Sequence, residues 1–320
     1  MKGFDPEFQD LDQYIRVITA RIWEGRRIDD IRRYYSDPCT VETPSSVSTT
    51  VEEVVSGTRA TLATFPDRRL LAEDIIVSGD EDGGFLSSHR LISPMTHLGD
   101  GEFGAPSGRK VHVRTIADCV CKDNRVVHEW LVRDEAAIAR AIGIEPRALA
   151  QTWLDQSGGW DKPVAGPAPA GYRSHISSAA PARAYAGAIE DFAHGGNPAA
   201  LAYDEAVHHI GPGGATCYGR DETAGFWRAL FGTLRVKSFT VEHLALNSGG
   251  GRADRLALRW RAQTLHQGES PDAGRYGPAT GRPVEIMGIN HVELLHGKVL
   301  REWVLVDDVA LWMQVLTARA

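Results

Sequence analysis

Cysteine is scarce in this chain: Cys39, Cys119, Cys121 and Cys217 are four among 320 residues. They form neither a disulfide framework nor a Cys-x-x-Cys metal knuckle. Long apolar runs are missing too, and no stretch approaches the ~20 residues needed to span a bilayer. Residues 1–9 carry acidic and aromatic side chains where a secretory signal would carry an apolar core. A reducing, cytoplasmic setting without a membrane partner is therefore expected. Positive charge is also in deficit. The formal net charge of −7 repels phosphate backbones, so nucleic acid is not an expected partner. Arg252, Arg255, Arg259 and Arg261 mostly alternate with apolar residues, as on the wet face of a strand.

Several reaction signatures are absent as well. No Gly-x-Ser-x-Gly nucleophile elbow occurs, and Gly249-Gly250-Gly251 lacks the strand-to-helix spacing of a dinucleotide loop. His208 and His209 are adjacent and would point apart on a helix, with no further ligand at metal spacing. Neither a metal nor an organic cofactor is expected.

What the chain does contain is an internal repeat. The segment 104–138, beginning GAPSGRKVHVRTIADCV and ending RVVHEWLVRDEAAI, slides by 173 positions onto 277–311 without a gap. Gly104 meets Gly277, Gly108 meets Gly281, Arg109 meets Arg282, Glu129-Trp130 meets Glu302-Trp303, and Asp134 meets Asp307. A shift of 169 aligns the preceding strand and places His97 on His266, so the difference falls in the loop 268–277, where insertions are tolerated.

Local patterns agree with that register. Leu11, Tyr14, Ile15, Ile18 and Ile22 recur at helical spacing, and Ile28, Ile31, Tyr34 and Tyr35 suggest a second short helix. A third follows Thr49-Thr50, where Glu52 and Glu53 complete a capping-box pattern. The second copy repeats the order over 182–192, after Asn197-Pro198 as N-cap and first helical residue, and over 221–231. Strands are expected at 70–77, 85–97, 110–121 and 126–132, with counterparts in the second copy, and each copy closes with a short helix at 134–142 or 307–316. Pro163, Gly166, Pro167, Pro169 and Gly171 mark a linker. The expected organisation is thus a first domain at 1–154, a linker at 155–178 and a second domain at 179–320. Helices followed by antiparallel strands make each an α+β domain.

The residues Thr96-His97-Leu98-Gly99, Gly104-Ala105-Pro106-Ser107-Gly108-Arg109, Arg125-Val126-Val127-His128-Glu129-Trp130 and Asp134 resemble the SnoaL-like polyketide and ester cyclases, of the nuclear-transport-factor-2-like fold. The second copy departs at Leu265-His266-Gln267-Gly268 but keeps Thr280-Gly281. The resemblance implies two cone-shaped domains, each a strongly bent, mainly antiparallel sheet covered by about three helices. It implies a small hydrophobic ligand and a cofactor-independent cyclase- or isomerase-type enzyme; the alternative is a non-catalytic binding or assembly module on the same fold. The carboxylate that such cyclases use as acid and base falls on or beside Ala117 and Asn290, with Asp118 and His291 the nearest titratable neighbours.

His97 and Asp118 are accordingly the expected catalytic pair of the first copy, and His266 and His291 of the second. His112 and Arg114 share a face with Asp118 in a regular strand. With Glu129, Trp130, Asn290, Glu302 and Trp303 they form the expected substrate-binding set; Trp130 and Trp303 read as core or pocket wall, and Asp134 and Asp307 as helix N-caps.

Single-domain relatives of this kind commonly pair, and fusion raises the effective concentration of the partner copy. The two copies are expected to pair as an intramolecular pseudo-dimer through their sheets. Small-angle scattering then returns one compact particle with a radius of gyration of about 20 Å; two separated, freely tumbling lobes contradict the pairing.

Overall fold

A computed structural model describes residues 1–161, 175–267 and 274–317, so most of the Pro/Gly-rich linker and the middle of the loop after His266 lie outside the described residues. Two compact units emerge, and each is built in the same order.

In the first unit, α1 (Leu11–Thr19) runs into one π turn at Ala20–Glu24, and α2 is a single turn (Ile31–Tyr34). Asp10 caps α1 by accepting the amide of Gln13 at 2.8 Å. Strands β1 (Tyr35–Glu42) and β2 (Val47–Ser48) lead to α3 (Val51–Thr64), and then come β3 (Leu71–Asp80), β4 (Gly84–Thr96), β5 (Lys110–Lys122), β6 (Arg125–Arg133) and α4 (Glu135–Ile142). The capping box at Thr50 and Glu53 is formed, with each side chain accepting the other's amide. Asp134 caps α4 through the amide of Ala137 at 3.0 Å.

The sheet order is β2-β1-β6-β5-β4-β3, antiparallel throughout except for the parallel pair β1 and β6. Sequence patterning does not reveal β1. Its Asp37-Pro38 step reads as a turn, and a proline is tolerated there because it removes only one ladder donor near the margin of the sheet.

After α5 (Pro146–Ser157) the second unit repeats the plan: α6 (Ala180–Ala193), α7 (Ala199–Ala202), β7 (Tyr203–Ile210), β8 (Thr216–Tyr218), α8 (Gly219–Phe231), β9 (Leu234–Asn247), β10 (Asp254–His266), β11 (Pro283–Leu295), β12 (Lys298–Leu305) and α9 (Asp308–Leu316). Its strands run β8-β7-β12-β11-β10-β9, again with one parallel pair, β7 with β12. Asp307 caps α9 through the amides of Val309 and Ala310 at 2.9 and 3.1 Å. Pro198, not Asn197, stands at the N-cap of α7. By its contacts α5 belongs to this second unit, where it packs on α9 and Arg147 lies over the Trp312 ring. His208 and His209 sit on strand β7 rather than on a helix, so alternation sends only His209 into the interior. All four cysteines are free, and no helix of the described residues is long and apolar enough to cross a membrane.

The two interiors differ. In the second unit Trp260 is fully buried and lies across Gly288, its cross-strand partner, among Trp227, Phe231 and Phe239. A Cβ on Gly288 would stand 2.2 Å from the Trp260 ring, so the glycine is what lets the indole lie flat on the sheet. At the matching rung of the first unit stand Leu91 and Thr115, and no ring fills the space.

Close packing makes added volume costly where no neighbour can yield. Gly288→Ala is expected to lower stability by about 1–3 kcal/mol. Urea unfolding of the full chain checks this, with the loss in the second unit's transition.

Candidate functional site

In the first unit the bent sheet and its helices enclose a cavity of about 220 Å³. Its sheet wall is three rungs of same-face residues, fixed by the pairing of β4, β5 and β6. One rung is Leu91, Thr115 and Arg133, the next His89, Ala117 and Leu131, and the third brings Cys119 beside Glu129. Ile15, Ile18 and Trp23 close the cavity from the helical side, with Tyr35 and Arg68 at its ends. From Arg133 to Glu129 is four residues along β6, or about 13 Å at strand rise.

Glu129 is buried at the end of this apolar space. Its Oε2 accepts the hydroxyl of Tyr35 at 2.8 Å, and Oε1 has no hydrogen-bond partner among the described residues. Burial disfavours the charged form and pushes the carboxyl up to about 7, while the Tyr35 hydrogen bond pulls the other way. His89, also buried, has its Nε2 without a partner; burial, aided by the positive charge of Arg16, pushes the imidazole down to about 3, so it is neutral at physiological pH. Thr115 Oγ1 is likewise buried and unpartnered. A titratable carboxylate, a neutral imidazole and a free hydroxyl thus face one apolar chamber, which is a workable set for proton transfer next to a carbonyl.

Of the residues expected from sequence, Glu129 lines this cavity. The expected wall of His97 and Asp118 is corrected by the strand geometry. Ala117 and Cys119 line the cavity, so Asp118 between them faces the other side, where the Ser88 hydroxyl donates to it at 2.5 Å. Trp130 shares that opposite face and stacks on His128 at 3.9 Å. His112 is exposed, and Arg114 pairs with Glu73 at 3.0 Å.

His97 is held in the turn before β5: its Nδ1 accepts the amide of Ser107 at 3.3 Å, and its ring packs near Phe65 and Phe103. His266 does the same in the second unit, where Nδ1 accepts the amide of Thr280 at 3.3 Å. Both are buried, and burial lowers the pKa of each. The two histidines satisfy the backbone of equivalent turns.

The second unit's counterparts form a hydrogen-bonded network in which His209 Nε2 alone is buried without a partner among its described atoms. Glu302 is fully buried and accepts Tyr185 at 2.5 Å and Tyr203 at 2.8 Å, with His209 Nδ1 at 2.6 Å. Asn290 donates to Tyr185 at 2.8 Å and accepts the Trp260 indole at 3.1 Å. His291, the neighbour of Asn290, faces away from it, as does Trp303 relative to Glu302.

Sequence reasoning missed His89, Tyr35 and Arg68. His89 lies two residues from Leu91 on a strand whose inner face is apolar, which is the one pattern that could have found it.

A model of the SnoaL-like polyketide cyclases matches residues 14–142, and a SnoaL-like domain model matches residues 182–302. No curated protein matches the chain. Among solved structures, IdmH of Streptomyces antibioticus, a candidate polyketide cyclase, is 19% identical over 42% of this chain and 98% of its own, with a TM-score of 0.37. A SnoaL-like polyketide cyclase of Agrobacterium tumefaciens is 20% identical over 42% of this chain and 100% of its own, with a TM-score of 0.35. TsrD of Streptomyces laurentii is 20% identical over 42% and 94%, with a TM-score of 0.36. With a SnoaL-like model matching each half of a repeated α+β fold, the chain belongs to the SnoaL-like family and carries two such domains in tandem.

Proposed function

We propose that the first domain is a cofactor-independent enzyme of the cyclase or isomerase type, acting by general acid–base chemistry on a small hydrophobic carbonyl compound. The observation that carries this reading is Glu129: a buried carboxyl with one free oxygen, at the end of an apolar cavity, that exchanges its proton near pH 7. A base poised at working pH is worth ~10²–10⁴-fold in rate.

In the proposed step the Glu129 carboxylate takes a proton from the carbon next to the substrate carbonyl. The C–H electron pair forms the enolate C=C bond, and the carbonyl π pair moves to oxygen. Neutral His89 or Thr115 donates a hydrogen bond to that oxygen. In a β,γ-unsaturated substrate the enolate is a dienolate, and return of the Glu129 proton to its γ carbon, as the pair from oxygen reforms the carbonyl, gives the conjugated isomer. Attack of the enolate carbon on a second carbonyl closes a ring, and Glu129 then protonates the new alkoxide. Tyr35 keeps the carboxyl in place as its proton comes and goes. For the second domain the non-catalytic reading is favoured, because Tyr185, Tyr203 and His209 occupy the Glu302 carboxylate and Trp260 fills the neighbouring rung.

The methyl group of 2-acetylnaphthalene offers a test by deuterium exchange in D₂O. Exchange catalysed by the wild type is expected to rise with pH through about 7, as Glu129 ionises. Glu129→Gln is expected to lose ~10²–10⁴-fold. Equal exchange by the variant would sink the assignment of the base.

The same carboxyl sets a pH dependence of stability. Its folded pKa lies above the ordinary 4.5, so its contribution is fully present below pH 4.5 and is lost as pH rises through about 7. The difference corresponds to about 3 kcal/mol. Chemical denaturation of Glu129→Gln at pH 5 and pH 8 is expected to show a smaller loss over that interval than the wild type shows.

A further inference from the structure

Beyond Glu129, the polar groups of the first cavity include a cation, Arg68, that only through-space attraction to Glu135 and Glu24 offsets. Arg68 lines the cavity near the Leu91–Thr115–Arg133 rung, and its Nε is buried without a hydrogen-bond partner. Its side chain makes no ion pair or hydrogen bond among the described residues. Arg133 beside it is different, since Glu135 at 2.5 Å and Glu102 at 3.2 Å meet its charge.

The backbone that carries Arg68 is fastened on every side. Asp67 accepts the Thr96 amide at 2.7 Å and its hydroxyl at 2.6 Å, and Arg69 pairs with Glu24 at 3.0 Å. The Arg69 amide donates to Pro94 O at 3.2 Å, and Arg26 donates to the carbonyl of Arg68 itself at 3.0 Å. Only the guanidinium of Arg68 is left over. Burial, and then the nearby charge of Arg133, draw it down to about 9, which still leaves it cationic at neutral pH.

A buried donor without a partner, as Arg68 Nε is, is costly, and a ligand that accepts its hydrogen removes that cost. We propose that Arg68, with the free hydroxyl of Thr115, forms an anion subsite that binds a carboxylate on the substrate, so that the ligand of this domain is a hydrophobic keto acid anchored by its acid end with its ketone directed toward Glu129. One guanidinium without a direct ion pair matches one negative charge. A carboxylate supplies that charge, whereas a phosphate monoester brings close to two. The cavity's length agrees, because an acid end at Arg68 and a ketone near Glu129 leave the apolar middle, Ala117, Leu131, Ile15 and Ile18, for a body of about two fused rings. This inference rests on the acid–base reading only for the direction of the ketone, not for the anion subsite.

The test is equilibrium binding to the full chain of two probes of one shape, 6-acetyl-2-naphthoate and neutral 2-acetylnaphthalene, by isothermal titration. Wild type is expected to prefer the carboxylate by about 10–100-fold, as a charge-assisted hydrogen bond in a partly buried site provides. In Arg68→Met the ratio of the two Kd values should fall to about one, and in Arg68→Lys, which keeps the charge, a preference should survive. Melting curves identify any variant that fails to fold, and the Lys variant then carries the comparison with 2-naphthyl phosphate as a third probe. Wild type binding both acetyl probes equally, Arg68→Met keeping the preference, or the phosphate binding more tightly than the carboxylate overturns the proposal. Because no turnover is involved, the ratio of Kd values reads the anion subsite whether or not Glu129 is the base, so failure of one reading is separable from failure of the other.

Discussion

Taking a carboxylate out of water is the constraint on which each domain is arranged. An isolated buried carboxylate is strongly disfavoured, so it must gain hydrogen bonds, gain a counter-charge or hold its proton. Both domains begin with the same device, a tyrosine at the start of the strand that runs parallel to the glutamate's own: Tyr35 to Glu129, and Tyr203 to Glu302, each at 2.8 Å. The parallel pairing of β1 with β6 and of β7 with β12 is what brings those tyrosines under the sheet. The unusual strand order therefore has a local purpose.

From that shared start the domains diverge. In the second, Tyr185 and His209 complete the carboxylate's partners, and Asn290 ties Tyr185 to Trp260. Buried hydrogen-bond networks of this kind rigidify a core. In the first, the positions of Asn290 and His209 are held by Ala117 and Val41, which form no hydrogen bonds through their side chains, so the carboxyl keeps a free oxygen and a raised pKa. Small apolar residues where the second domain has polar ones thus leave the Glu129 carboxyl with the single hydrogen bond from Tyr35.

Much of this was legible in the sequence. The repeat, the helix caps at Thr50, Asp134 and Asp307, and the long strands follow from spacing and composition, because these features depend on neighbours near in the chain. The site was less legible. Asp118 looked eligible because it adjoins Ala117, but a strand alternates strictly, and a one-residue offset moves a side chain to the other face of the sheet. Only the register of β4, β5 and β6 settles the face, and no local pattern encodes it. Tyr35 was hidden because its strand carries a proline and pairs with a partner more than ninety residues away. Arg68 was hidden because an arginine pair after a helix reads as solvated surface.

The same argument explains why one interior stays open. An apolar cavity forgoes dispersion contacts on every wall, and a protein selected for stability alone would tend to fill it. The second domain shows how little is needed: Trp260 in place of Leu91, with Gly288 in place of Thr115 to make room for the ring. In the first domain that rung keeps Leu91 and Thr115, the middle rung adds His89 where the second has Leu258, and unpaired polar atoms remain on both. Unfilled volume and unpaired polar atoms cost stability, and on the reading proposed above they are what a ligand would complete. In its tandem neighbour the matching rungs hold Trp260 and the hydrogen-bonded Glu302 instead, so on the reading proposed above the chemistry falls to the first copy.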